Sequence, residues 1–326
     1  MSTTTIQINK RNATLDVMKI ICAILVVLGH VMSVYTPYAA IEMPEKSSII
    51  IKLWRFIYSF HMPAFIAISG AIYSINKCKR QTNFLLFIQK KWKRLFIPYL
   101  VFLFLYTLPI MSFIQNGINF HQFFYEYILA ANPRHLWYLF TLFFIFIIYD
   151  YFYKEITNNL INSFFIFLLI YLSTRYLPST FQLYNIAKFL IYFHLGCFLP
   201  SAKKILERDI NILTLPLFLI IYILTFKMYN PLACLIIASG GILTIYCLSH
   251  FISKYLNNDT ISYYAKNTYG IYLFHPMINY LIFHYIFKMH LNPIFMTLVI
   301  TIICWFLSSY LTDIARKIHL SWIIGE

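Results

Sequence analysis

Asp16, Lys19 and His30 are the residues best placed to do chemistry, because all three interrupt one apolar run, Asp16 to Tyr35, DVMKIICAILVVLGHVMSVY. A run of about 20 such residues is long enough to cross a bilayer as a helix. Ionisable groups in lipid are costly, so they face a protein interior or a watery cavity and mark a functional path. On a helix, Lys19 and His30 are three turns plus about 20° apart, which puts them on one face with about 16 Å between them along the axis. Asp16 stands on the same side, one turn before Lys19, and can pair with it. An imidazole in that position can take a proton from a hydroxyl nucleophile, because it titrates near neutrality. The competing reading of His30 is a packed ring satisfied by a backbone carbonyl, and the shared face with Lys19 and Asp16 favours chemistry.

Four further stretches carry candidate groups. FIYSFHMPAFIAISGAIYS, Phe56 to Ser74, places His61 before Pro63 and a small pair, Ser69 and Gly70, one to two turns on. His61 is either a second polar group at the site or a hydrogen bond between helices, and Ser-Gly permits close helix approach. KKWKRLFIPYL supplies Lys90, Lys91, Lys93 and Arg94 just before an apolar span. Such a cluster binds phosphate, with Arg94 as a planar fork and the lysines as point charges, or else it marks topology and anionic lipid. NPRHLWYLFTLFF brings His135, Trp137 and Tyr138, whose rings could stack on a sugar or form an interfacial belt. YYAKNTYGIYLFHPMI has Asn267 and Thr268 placed to open a helix, with His275-Pro276 interrupting it. His275 is either a site residue or a structural hydrogen-bonder.

The elements that must position these groups are membrane helices. The chain has 326 residues, 60% hydrophobic and 11% charged, with mean hydropathy +0.70, against about 25% charged in a soluble domain. Ten apolar spans are expected, at 16–35, 50–75, 95–114, 136–153, 160–176, 181–199, 210–226, 232–252, 269–287 and 293–311. The whole chain, 1–326, reads as one integral-membrane domain of all-α, polytopic bundle type, with residues 1–15 as a tail. The embedded charges argue for a retained first span over a cleaved signal peptide. The net charge of +15 is spread over short loops and does not point to nucleic acid. Most bases, among them Lys10, Arg11, Lys77, Lys79, Arg80, the Lys90–Arg94 cluster, Lys203, Lys204 and Arg208, fall on the N-terminal side. Lys46, Arg134, Arg175, Lys227 and Lys288 fall on the other, which puts both termini in the cytoplasm. Asn76 to Arg94 is expected along the membrane surface. In that frame Lys19 sits at the cytoplasmic mouth, His61 lies near mid-depth, His135 at the outer boundary, and His275 about 10 Å in from the cytoplasmic side. The cysteines show no zinc or disulfide spacing.

Taken in order, LDVMKIICAILVVLGH, YSFHMPAFIAISG, KRLFIPY, HLWYL and NTYGIYLFHP resemble the membrane acyltransferase 3 family over nearly the whole chain. The second motif is most similar to the fucose 4-O-acetylase-like branch, and the length resembles the O-acetyltransferase of enterobacterial common antigen. The resemblance implies a multi-pass enzyme of the bacterial inner membrane. It would move an acetyl group from acetyl-CoA, a substrate and not a resident cofactor, to a sugar hydroxyl of a polysaccharide or lipid-linked glycan, with Lys19, His30 and Arg94 in the active site. The expected partners are acetyl-CoA, the sugar acceptor and membrane lipid. Asp16 and His61 complete the expected catalytic set, Lys90, Lys91 and Lys93 join Arg94 at the donor phosphates, and His135, Trp137, Tyr138 and His275 face the acceptor. The family's usual Arg in the first motif is Lys19 here, which keeps the charge but loses the bidentate fork. The rival class is a polysaccharide or small-molecule transporter with buried His and Asp as a proton relay, although the sequence lacks paired broken repeats.

Overall fold

The computed structural model describes residues 12–37, 43–78, 83–208, 213–225, 228, 230–286 and 292–326. Lys10, Arg11, Lys79, Arg80, Lys227 and Lys288, used above to orient the chain, and residues 1–11 of the tail lie outside them.

The described residues are helical, with no strand among them. Within the described residues, helix covers most of each expected span. In chain order these are α1 (Ala13–Ser33), α2 (Ser48–Tyr58), α3 (His61–Lys77), α4 (Phe84–Ile114), α5 (Trp137–Tyr151), α6 (Leu160–Leu172), α7 (Leu183–Phe198), α8 (Thr214–Thr225), α9 (Pro231–Ser253), α10 (Asn258–Ile286) and α11 (Pro293–Lys317). Among the described residues, five stretches are long and apolar enough to cross a membrane by length and composition: α1, α2 with α3, α4, α9 and α11.

Local chemistry sets the boundaries. Asn12 starts α1 by accepting from the Leu15 amide, and Asn230 starts α9 by accepting from the Ala233 amide at 2.7 Å, with Pro231 at the first helical position. The expected second span is two helices, because the chain breaks at Ser59-Phe60, just before His61 and Pro63. Three expectations need correcting. The segment before Arg94 is not a separate surface element but the first turns of α4, held in place by buried Phe87 and Leu95. Asn267 does not cap a helix. It lies fully buried inside α10, which starts at Asn258, and its side chain donates to Ser309 at 2.9 Å. Pro276 does not interrupt α10, which runs on through it.

α1 is the central helix, packed against α2, α3, α9, α10 and α11. α3 and α7 meet backbone to backbone. A Cβ on Gly70 would sit 2.1 Å from the Phe193 carbonyl, and one on Gly196 would sit 2.0 Å from the Ala67 carbonyl. Small residues let membrane helices meet backbone to backbone in this way. The outer helices leave large apolar side chains uncovered, among them Leu105, Ile161, Leu169, Leu224 and Phe306. A surface of that kind suits lipid, and in water it would drive association.

Candidate active site

Two groups of polar residues meet along α1 and α10. The first lines a cavity of about 480 Å³ at the N-terminal end of α1, walled by α1, α3, α4, α5, α10 and the last residues of the chain. Lys19, Lys77, Lys90, Lys91, Arg94 and Lys266 all lie on its wall, and Glu326 is the one acidic residue there among the described residues. Lys19 donates to Asp16 at 2.7 Å, and Lys77 to the buried Asp150 at 2.6 Å. Asp150 also accepts from Tyr73. Lys91 lies over the Phe146 ring, 3.5 Å from its centroid. A wall with this excess of positive charge favours a ligand carrying several phosphates.

Arg94 owes its place to an unusual stretch of backbone. Trp92–Phe96 forms a π-helical turn, a feature that recurs at functional sites. Pro98, one turn on, brings no amide hydrogen back to the Arg94 carbonyl. That carbonyl instead accepts from the Tyr269 hydroxyl of α10 at 2.8 Å. Gly325, at φ +70°, packs against the same carbonyl, where a Cβ would come within 2.4 Å. Arg316 clasps Glu326 through two hydrogen bonds of 2.8 and 2.7 Å, which seats the C-terminal turn on the cavity rim.

The second group is a cluster of histidines. The rings of His30 and His275 meet edge to face with centroids 5.1 Å apart. His61 and His135 are also within electrostatic reach of His30. His275 Nδ1 donates to the Ile271 carbonyl at 2.8 Å, and His61 Nδ1 to the Ile57 carbonyl at 2.8 Å. A carbonyl can only accept, so both rings hold their proton on Nδ1 and present Nε2 as a base. The His30 carbonyl is tied to α10 by the Asn279 amide at 3.1 Å. Tyr138 and Tyr272, with ring centroids 5.4 Å apart, stand between this cluster and the basic cavity and line the cavity's inner end. Tyr272 donates to the His135 carbonyl.

The expected residues therefore divide. Lys19, Lys90, Lys91, Arg94 and Tyr138 reach the cavity, with Asp16 behind Lys19. His30, His61, His135 and His275 form the cluster beyond it. His135 lies in the turn Arg134–Leu136 with its ring buried, 5.9 Å from Tyr272. Lys93 lies beside Ile88, Gln89 and Trp92 and not on the cavity wall, being about 100° around the helix from Arg94. Trp137 stacks on Phe189 of α7 with centroids 5.1 Å apart. Sequence reasoning missed Ser69, Lys77, Lys266, Tyr269 and Tyr272. The signal was present in α3, where Met62, Phe65, Ser69, Ile72 and Asn76 fall on one helical stripe and all line the cavity.

Comparison with family models gives one match, to the acyltransferase domain of the acyltransferase 3 family, over residues 12–312. Neither the curated proteins nor the solved structures give a significant match. The matched stretch holds every helix that lines the basic cavity and every histidine of the cluster, and the chain belongs to the acyltransferase 3 family of membrane acyltransferases.

Proposed function

We propose that this chain is an O-acetyltransferase of the bacterial plasma membrane, with about ten membrane spans and both termini in the cytoplasm. It takes acetyl from acetyl-CoA and delivers it to a sugar hydroxyl of a polysaccharide or lipid-linked glycan. The observation that carries this reading is the succession, along α1 and α10, of a cavity walled with bases and then a histidine cluster behind two tyrosines. The bases would meet the phosphates of coenzyme A, with Arg94 and Lys90 from α4 and Lys266 from α10. The thioester would pass Tyr138 and Tyr272 toward His30.

In the direct reaction the sugar hydroxyl oxygen attacks the thioester carbonyl carbon while His30 removes the hydroxyl proton. The new C–O bond forms, the C–S bond breaks, and the thiolate of coenzyme A leaves and takes up the proton from the imidazole. Lys19, bridged to Asp16, supplies positive charge at the donor side, and His61 and His275 orient the ring or steady the developing oxyanion.

The test uses purified protein, acetyl-CoA labelled in the acetyl group, and the glycan fraction of the host envelope. Label passing from the thioester to an alkali-labile ester on glycan supports the reading. Movement of unmodified glycan across vesicles, with no label transferred, would replace it with a transporter.

A further inference from the structure

A set of buried polar groups lies on the far side of the histidine cluster from the basic cavity. Along α10 the order is Lys266, Tyr269 and Tyr272 on the cavity wall, then His275, then Asn279 and Tyr280 one turn further on. The loop that joins α4 to α5 folds over this end. It carries Glu126, Tyr127, Arg134 and His135, and its backbone adopts the left-handed region at Ala130 (φ 49°) and Arg134 (φ 52°). Few non-glycine residues accept that conformation. The Phe181 amide pins the loop by donating to the Leu129 carbonyl at 2.7 Å.

The hydrogen-bonding capacity here is left open. Both ring nitrogens of His135, the Tyr127 hydroxyl, Arg134 Nε, Glu126 Oε2, Asn279 Oδ1 and His275 Nε2 are buried with no hydrogen bond formed. The Leu273 carbonyl lies near His135, and the Arg134 guanidinium lies beside Tyr127, without completing one. Buried polar groups are nearly always paired, so this many in one place marks the seat of a polar ligand. The groups connect to one another: Arg134 sits 3.4 Å from Glu126, Tyr280 feels the charge of Arg134, and Asn279 holds the His30 carbonyl. Arg134 and Glu126 keep 17% and 23% of their side-chain surface open, so the group can be reached from outside.

We propose that Glu126, Tyr127, Arg134, His135 and Asn279 form the acceptor subsite and take the hydroxyls of a neutral sugar ring. A carboxylate, a phenol, a guanidinium and an amide together offer both acceptors and donors to adjacent ring hydroxyls. The Arg134 charge is already balanced by Glu126, which leaves no net charge to attract an acidic sugar. One hydroxyl held here faces His30 and His275 from the side opposite the donor cavity, so donor and acceptor meet at the imidazoles without sharing an entrance. This assignment rests on the acyltransferase reading for the identity of the reacting group.

Saturation-transfer NMR on the full-length protein, in nanodiscs of sugar-free lipid, tests it with methyl β-glucoside, methyl β-galactoside and methyl β-glucuronoside as probes. Neutral glycosides are expected to receive saturation and the glucuronoside not. Tyr127→Phe, which keeps shape and removes one hydroxyl, and Arg134→Gln should each weaken binding about fivefold, while coenzyme A binding persists. No saturation of either neutral glycoside, unchanged binding in both variants, or equal binding of the glucuronoside would overturn the proposal. Glycoside binding that depends on Tyr127 and Arg134, in a protein that transfers no acetyl, would instead keep the subsite and overturn the enzyme reading.

Discussion

A histidine whose Nδ1–H is spent on a carbonyl presents only its Nε2 lone pair, and that is the state of His61 and His275 on either side of His30. His30 makes no such bond through its ring among the described residues. It is held instead at its backbone, by Asn279 and by the Ser33 hydroxyl at 2.7 Å. Its ring is therefore the one of the three not fixed to a backbone carbonyl among the described residues. At the donor end, Arg94→Ala and Lys90→Ala should each raise the KM for acetyl-CoA by about tenfold, the loss of one charge-assisted contact to phosphate. Steady-state kinetics at fixed acceptor checks this, and a matching rise in the acceptor KM would argue against a dedicated donor cavity. Lys93→Ala should leave the donor KM unchanged, because Lys93 faces away from the cavity. Arg94 was legible in the sequence as the last base before a span. Lys77 and Lys266 were not, because a loop lysine that sets topology and one that lines a cavity look alike until the helices pack.

Between elements, the junction of α3 and α7 is the most exacting. Gly196→Val should push the helices apart and cost about 1–3 kcal/mol or more through overpacking against the Ala67 backbone, seen as a lower unfolding temperature in detergent. A variant that unfolds like the wild type would mean that the helices are not in backbone contact. Tyr269→Phe should act differently. It leaves the Arg94 carbonyl without its 2.8 Å partner and should loosen Arg94, raising the donor KM a few-fold with the fold intact. The helices were largely readable from hydrophobic runs. What could not be read was where a break falls within a run. Ser59-Phe60 breaks a span with no proline at the break, whereas Pro276 sits inside a continuous helix. Beside Pro276, Tyr106 of α4 donates to the Phe274 carbonyl at 2.8 Å, a tertiary partner that no local pattern announces.

For the whole molecule, the apolar outer surface suits a bundle sunk in lipid, and the bases crowd around a cavity at one end. Cys78, exposed at the end of α3 near Lys77, gives a direct check of orientation. A membrane-impermeant maleimide should label it in inside-out vesicles and not in intact cells, and the reverse would turn the bundle over. The composition made the membrane character plain, and the order of five short motifs pointed to the family, while the buried polar group around Tyr127, His135 and Asn279 stayed hidden because its members lie far apart in the chain. The central claim is that acetyl passes to glycan at His30. Proton NMR of O-acetyl groups on the host's surface glycan tests it most directly, in wild type, in a deletion strain, and in that strain carrying either the wild-type gene or His30→Ala at equal protein level. The acetyl signals should vanish on deletion, return with the wild-type gene and stay absent with His30→Ala; signals restored in full by His30→Ala would rule out His30 as the base.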